Sequence, residues 1–170
     1  MTDDLTLGER LRQQGVSRRG FLKFCAATAS MMALPPSMIP AIAASLEKAK
    51  RPSVIWLSFQ ECTGCTESLT RSHAPTVESL IFDHISLDYH HTLQAAAGDA
   101  AEHAREEAMQ ENYGKYLLVV DGSIPTGENG NYSTIAGISN LAMLEEVAAG
   151  AAAIIAVGTC AAFGGLPHAD

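Results

Sequence analysis

Two cysteines three residues apart, in Glu61-Cys62-Thr63-Gly64-Cys65-Thr66, are the residues of this chain best suited to chemistry. They follow directly on the apolar run 53–59. Thiolates at this spacing hold a metal or a metal cluster, or they cycle through a disulfide. A third thiol, Cys160, lies in Gly158-Thr159-Cys160-Ala161-Ala162-Phe163-Gly164-Gly165, behind a second apolar run. Cys62, Cys65 and Cys160 are therefore the candidate metal- and cofactor-binding residues, and no residue stands out as a catalytic acid or base. A zinc site would need a fourth ligand, for which His73 or His168 could serve. An iron–sulfur cluster asks for four thiolates, one more than these. An exported thiol–disulfide oxidoreductase would use Cys62 and Cys65 alone. Spacing leaves all three readings open.

The glycines beside the thiols have a physical use. Gly64 lets the backbone turn so that both sulfurs face one way, and its bare amide can point at cluster sulfides. Gly158, Gly164 and Gly165 do the same around Cys160. Glu61 and Glu67 flank the thiol pair. A carboxylate beside a redox centre can relay protons, whereas Glu67 also suits a solvated first helical turn. His90, His91 and His103 are expected on the surface, and His84 partly buried. No Gly-rich phosphate-binding loop with its Gly-Lys-Ser/Thr ending occurs.

The elements that must position these groups are legible in the apolar pattern. Near-continuous apolar, β-branched runs predict strands over 53–59, 85–89, 116–120 and 152–157. Between them, helices are expected over 66–72 (capped by Thr66 or Ser68), 76–82, 95–111 and 138–149. Strands that alternate with helices, each apolar throughout, predict an α/β fold with an open parallel sheet buried on both faces. Ligands bind outside the carboxyl ends of such strands. All three candidate thiols fall there, Cys62 and Cys65 after the first strand and Cys160 after the fourth.

The 170 residues suffice for one domain with a sizeable core, and 47% hydrophobic content excludes a disordered chain. Net charge is −8, with +2 on residues 1–43 and −10 on the rest. An acidic body argues against nucleic acid. Residues 1–43 read as an export signal: Ser17-Arg18-Arg19-Gly20-Phe21-Leu22-Lys23 holds a twin arginine, and an Ala-rich apolar run broken by Pro35, Pro36 and Pro40 follows. That run is interrupted too often for a membrane span. Ala41-Ile42-Ala43 supplies small residues at the spacing of a cleavage site. Twin-arginine export carries folded, cofactor-loaded proteins, so a periplasmic location is expected. Cys25 lies in this segment and is assigned no role.

The twin-arginine leader, Trp56-Leu57 running into Glu61–Ser68, Ile85-Ser86-Leu87-Asp88-Tyr89-His90, Asp121-Gly122-Ser123-Ile124-Pro125 and 158–165 occur in this order. Together they resemble the small subunit of periplasmic or membrane-associated nickel–iron hydrogenases. The likeness covers the whole chain and matches the N-terminal, flavodoxin-like half of that subunit, here 44–170. It implies that Cys62, Cys65 and Cys160 ligate a proximal [4Fe-4S] cluster whose fourth ligand lies beyond residue 170. It also implies a medial [3Fe-4S] and a distal [4Fe-4S] cluster in a C-terminal half that this sequence does not contain. The implied partners are the nickel–iron large subunit, where H2 is oxidised, and a cytochrome or other redox acceptor. Oxygen-tolerant members add cysteines at the places of Gly64 and Gly165, so the resemblance implies an ordinary, oxygen-sensitive cluster. A 20-kDa quinone-reductase subunit shares the same half, and the leader argues against it.

Overall fold

A computed structural model describes residues 6–168 except 14, 32 and 49. The chain divides into two compact units, Met1–Arg51 and Pro52–Asp170.

The first unit is helical: α1 (Leu7–Gln13), α2 (Arg18–Met31) and α3 (Ile39–Lys48). Thr6 and Glu9 cap α1 reciprocally, each backbone N–H donating to the other's side chain at 2.7 and 3.3 Å. The Ser17 hydroxyl accepts the Gly20 N–H at 3.2 Å, which starts α2 with Arg18 and Arg19 exposed in its first turn. Pro35 and Pro36 separate α2 from α3, while Pro40 sits in the first turn of α3, where a missing N–H costs nothing. Phe21, Cys25 and Ala43 form the small core. Cys25 is fully buried there, and burial pushes its thiol up, as expected of an inert structural cysteine. Helix α3 continues through Ala41-Ile42-Ala43. Among the described residues no helix is long and apolar enough to cross a membrane.

The second unit is built on a parallel sheet of β1 (Ser53–Ser58), β2 (Ser86–His90), β3 (Leu117–Asp121) and β6 (Ala153–Val157), in the order β2-β1-β3-β6. The short strands β4 (Thr134–Ile135) and β5 (Ile138–Ser139) form a separate antiparallel pair. Its helices are α4 (Gly64–Thr70), the short α5 (Val77–Ser79) continuing into a π turn over Leu80–His84, α6 (Asp99–Glu111), α7 (Asn140–Ala148) and α8 (Gly158–Phe163). Strand order reverses at β1, since the chain steps from β1 to one side and returns over it to β3. This is the expected α/β fold with flavodoxin-like strand order.

Side-chain alternation sorts the core into two layers. Ile55, Leu57, Leu118 and Val120 pack with Tyr89, Tyr116, Ala101 and Ala108 of α6, and Met143 and Val147 of α7. On the opposite face Val54, Trp56 and Val119 meet Leu69 of α4 and Val157. All six residues of β1 are buried, as its continuous apolar run predicts.

Several expectations shift. The strand predicted as the fourth buried one exists, but among the described residues β6 pairs with β3 alone and is an exposed edge, with Ile154 55% and Ile155 46% exposed. Apolar composition marks a strand meant for burial; it does not supply the cover. The helix expected from residue 66 starts at Gly64, and neither Thr66 nor Ser68 caps it. The helix expected from 95 starts at Asp99, because Gly98 leaves helical geometry with φ +59°. The helix expected from 138 starts at Asn140, where the Ser139 hydroxyl accepts the Ala142 N–H at 3.2 Å. His90 was expected at the surface and is instead the last residue of β2, 1% exposed, because the strand runs one residue further than its alternation suggested. His103 is exposed and His84 half-buried, as expected.

Candidate metal centre

The loop after β1 is fastened to the loop after β3. The Phe59 N–H donates to the Asp121 carbonyl at 2.9 Å, and Gln60 and Ser123 exchange backbone hydrogen bonds at 3.1 and 2.8 Å. Gly122 makes this approach possible: at φ +84°, a Cβ there would lie 2.8 Å from the Gln60 carbonyl oxygen. The chain then turns through Thr63, a β-branched residue at φ 65°, before α4 begins. Left-handed geometry at such a residue is costly and concentrates at functional sites. Here it brings both sulfurs to the end of the sheet.

Cys62 is exposed, whereas Cys65 and Cys160 are half-buried; all three are free thiols. The Cys65 thiol donates to the Val157 carbonyl at 3.6 Å, tying the β1 loop to the end of β6, where α8 carries Cys160. The structure thus brings together the three thiols singled out in the sequence. Each also abuts a different glycine. A Cβ on Gly64 would lie 3.1 Å from the Cys62 sulfur, one on Gly165 2.6 Å from the Cys160 sulfur, and one on Gly158 would collide with the Cys65 sulfur. Bare backbone therefore surrounds the thiols, as a cluster with inorganic sulfides requires. Gly164 serves differently, ending α8 at φ +84° above the His168 ring. A cavity of about 460 Å³ is lined by Gln60, Glu61, Cys62, Cys160, Leu166 and Pro167. A second, of about 440 Å³, is also lined by Gln60, Cys160 and Pro167, together with residues 122–126.

The surroundings are electronegative. Burial pushes the Cys65 thiol up, and so do Asp121 and the neighbouring thiols and Glu61. Glu61 is raised by burial and then by Asp121, and its Oε2 is buried without a hydrogen-bond partner. Glu67 has the bland role: it is exposed and pairs with Arg71 one turn on at 2.6 Å.

Among the described residues no three His, Cys, Asp or Glu side chains gather closely enough to hold one metal ion. His73 and His168 are exposed and complete no tetrahedral zinc set. A polynuclear cluster differs, because each thiolate reaches its own metal atom and the sulfurs need not converge on one point. The donor set, the glycine cradle and the cavity fit three corners of such a group.

Residues 62–170 match the family described as NADH ubiquinone oxidoreductase, 20 Kd subunit. The chain belongs to that family. It is 48% identical over 161 residues to the periplasmic [NiFe] hydrogenase small subunit 1 of Nitratidesulfovibrio vulgaris, covering 95% of this chain and 50% of that protein. It is 47% identical over 169 residues to the hydrogenase-2 small chain of Escherichia coli K12, covering 99% of this chain and 45% of that one. Among solved structures it resembles the recombinant [NiFeSe] hydrogenase from Desulfovibrio vulgaris Hildenborough, with a TM-score of 0.68 and 38% identity over 72% of this chain and 45% of that chain. The chain spans about half the length of the curated relatives it matches.

Behind the thiols lies a buried polar group that the local sequence pattern does not mark. Asp121 lies one residue past the strand expected over 116–120, and the structure makes it the last residue of β3, 0% exposed. Its Oδ1 accepts the Trp56 indole N–H at 3.2 Å. The His90 ring stacks on Trp56 at 4.9 Å, and its Nδ1 accepts the N–H groups of Thr92 and Leu93. Burial lowers the His90 pKa to about 4, so the ring is neutral, with its proton on Nε2. The available signal was a carboxylate in line with Leu117-Leu118-Val119-Val120.

Proposed function

We propose that the chain is the N-terminal, electron-transferring part of a nickel–iron hydrogenase small subunit, in which Cys62, Cys65 and Cys160 ligate a proximal [4Fe-4S] cluster. The observation that carries this reading is the placement of the three thiols. They stand at the carboxyl ends of β1 and β6, each against a glycine, in a chain 47–48% identical to named hydrogenase small subunits. The cluster supplies one-electron storage at the sheet edge. The protein holds the sulfurs, keeps side chains off them at Gly64, Gly158 and Gly165, and shields Cys65 from water. H2 oxidation belongs to a large subunit, and a cytochrome or other acceptor takes the electrons. A fourth cluster ligand, and medial [3Fe-4S] and distal [4Fe-4S] clusters, belong to sequence outside these residues. Residues 1–43 act as a twin-arginine signal that delivers the folded subunit to the periplasm, leaving 44–170 as the cluster domain.

A thiol–disulfide oxidoreductase is disfavoured because it would use Cys62 and Cys65 alone, whereas Cys160 stands at the same sheet end, on the helix that follows the strand whose last carbonyl accepts the Cys65 thiol. The test uses the full-length small subunit purified anaerobically with its large subunit. Iron with acid-labile sulfide is expected, and Cys160→Ser should abolish the proximal-cluster spectrum. Zinc in place of iron, or full disulfide-exchange activity in Cys160→Ser, would overturn the reading. Because Gly64 and Gly165 leave no room for extra cysteines without displacement, redox titration should show a single one-electron step at this cluster.

A further inference from the structure

Among the described residues Asp121 is the one fully buried acidic side chain, and it stands at the sheet end that carries the thiols. Its strand neighbours in register are Ser58 on one side and Val157 on the other. Val157 is also the residue whose carbonyl accepts the Cys65 thiol. Adjacent strands lie about 4.8 Å apart, so the Asp121 backbone stands one strand spacing from the carbonyl that accepts the Cys65 thiol. Trp56 spends its single polar hydrogen on Oδ1, and His90 stacks behind the indole and holds it there. Oδ2 is buried with no hydrogen-bond partner, as are the hydroxyls of Ser58 and Thr66.

A carboxylate is a costly way to satisfy one indole N–H, since burying an incompletely paired charge is strongly unfavourable. An asparagine would accept the same hydrogen bond without that cost. The acid is accounted for if its charge is used. A negative charge in a poorly screened interior opposes the arrival of an electron nearby, and net charge is among the factors that set iron–sulfur potentials.

We propose that Asp121, held beneath the thiolate loop by Trp56, lowers the reduction potential of the cluster that Cys62, Cys65 and Cys160 hold. It is a positioning residue in the electrostatic sense: it touches no reacting atom and acts through Cys65. The inference rests on the cluster reading above.

The test is an electron-paramagnetic-resonance redox titration of the full-length enzyme with its large subunit, comparing wild type, Asp121→Asn and Asp121→Glu. Asp121→Asn keeps the acceptor for Trp56 and removes the charge. Its reduction equilibrium should shift roughly tenfold toward the reduced form, about 59 mV for one electron, while Asp121→Glu stays near wild type. A shift below about twofold in Asp121→Asn, with iron and sulfide content intact, overturns the proposal. Loss of the cluster in Asp121→Asn but not in Asp121→Glu also overturns it, because the carboxylate would then serve assembly. Absence of iron and sulfide from the wild type would instead defeat the cluster reading itself.

Discussion

At the residue scale, the thiol loop is fixed by what its neighbours lack. Gly64, Gly158 and Gly165 carry no side chain where a Cβ would press on a sulfur, and Gly122 allows the β1 and β3 loops to join. Just behind them, His90 is paired in the opposite sense, buried and neutral with two backbone N–H groups donating to its Nδ1. Its pKa is lowered from 6.5 to about 4. Between those values the unfolded chain binds more protons than the folded one, so stability rises with pH. The contribution is complete above pH 6.5 and is lost as pH falls toward 4, with His91 adding in the same direction. At about 1.4 kcal/mol per unit, His90 should account for roughly 2 kcal/mol lost between pH 7.5 and 5. Urea unfolding at the two pH values should show that part of the slope missing in His90→Asn, whose side-chain oxygen can still accept the backbone donors. An unchanged slope would mean that His90 protonates inside the fold without penalty.

At the scale of elements, α7 shows how a single side chain moves a boundary. Ser139 ends β5 and caps α7 through the Ala142 N–H. Ser139→Ala should cost about 1 kcal/mol, seen as a melting temperature lower by roughly 3–5 °C. No shift would show that the hairpin of β4 and β5 sets the helix start unaided. The helix α6 is anchored differently: Arg105 is buried and bonds to Glu102 at 3.0 Å and to Glu146 at 3.1 Å, while Tyr89 donates to Glu102. These contacts bind α6 to α7 and to β2, behind the layer that supports the thiol loop. Among the described residues strand β6 has no such cover on its outer edge, and Phe163 and Leu166 beyond it are 79% and 86% exposed.

At the scale of the molecule, the helices of 1–51 and the sheet unit have separate cores. Among the described residues, the cluster of Phe21, Cys25 and Ala43 takes in Leu11, Ile39, Ile42 and Leu46, and the two sheet layers are made of residues from Val54 onward. Removal of residues 1–51 should therefore leave the thermal unfolding of the sheet unit within about 2 °C, a stability change under about 0.5 kcal/mol. Calorimetry of the two chains would check it, and a large loss would show that the first unit contributes to the sheet's stability.

From sequence alone came the alternation of strands and helices, the parallel sheet and the three thiols at its carboxyl edge. These follow from local apolar pattern and residue chemistry, which Ser53–Ser58 and Glu61–Thr66 display without reference to the rest of the chain. Only the tertiary structure decided which strand lies at the edge, that Cys65 reaches the end of β6, and that Trp56, His90 and Asp121 form a buried polar group beneath the thiols. Those facts join residues 65 and 157, or 56 and 121, and no local pattern encodes a pairing across that distance. Strand order decides it. The thiols could be found by their spacing, whereas the charge placed behind them became visible only when β3 took its position between β1 and β6.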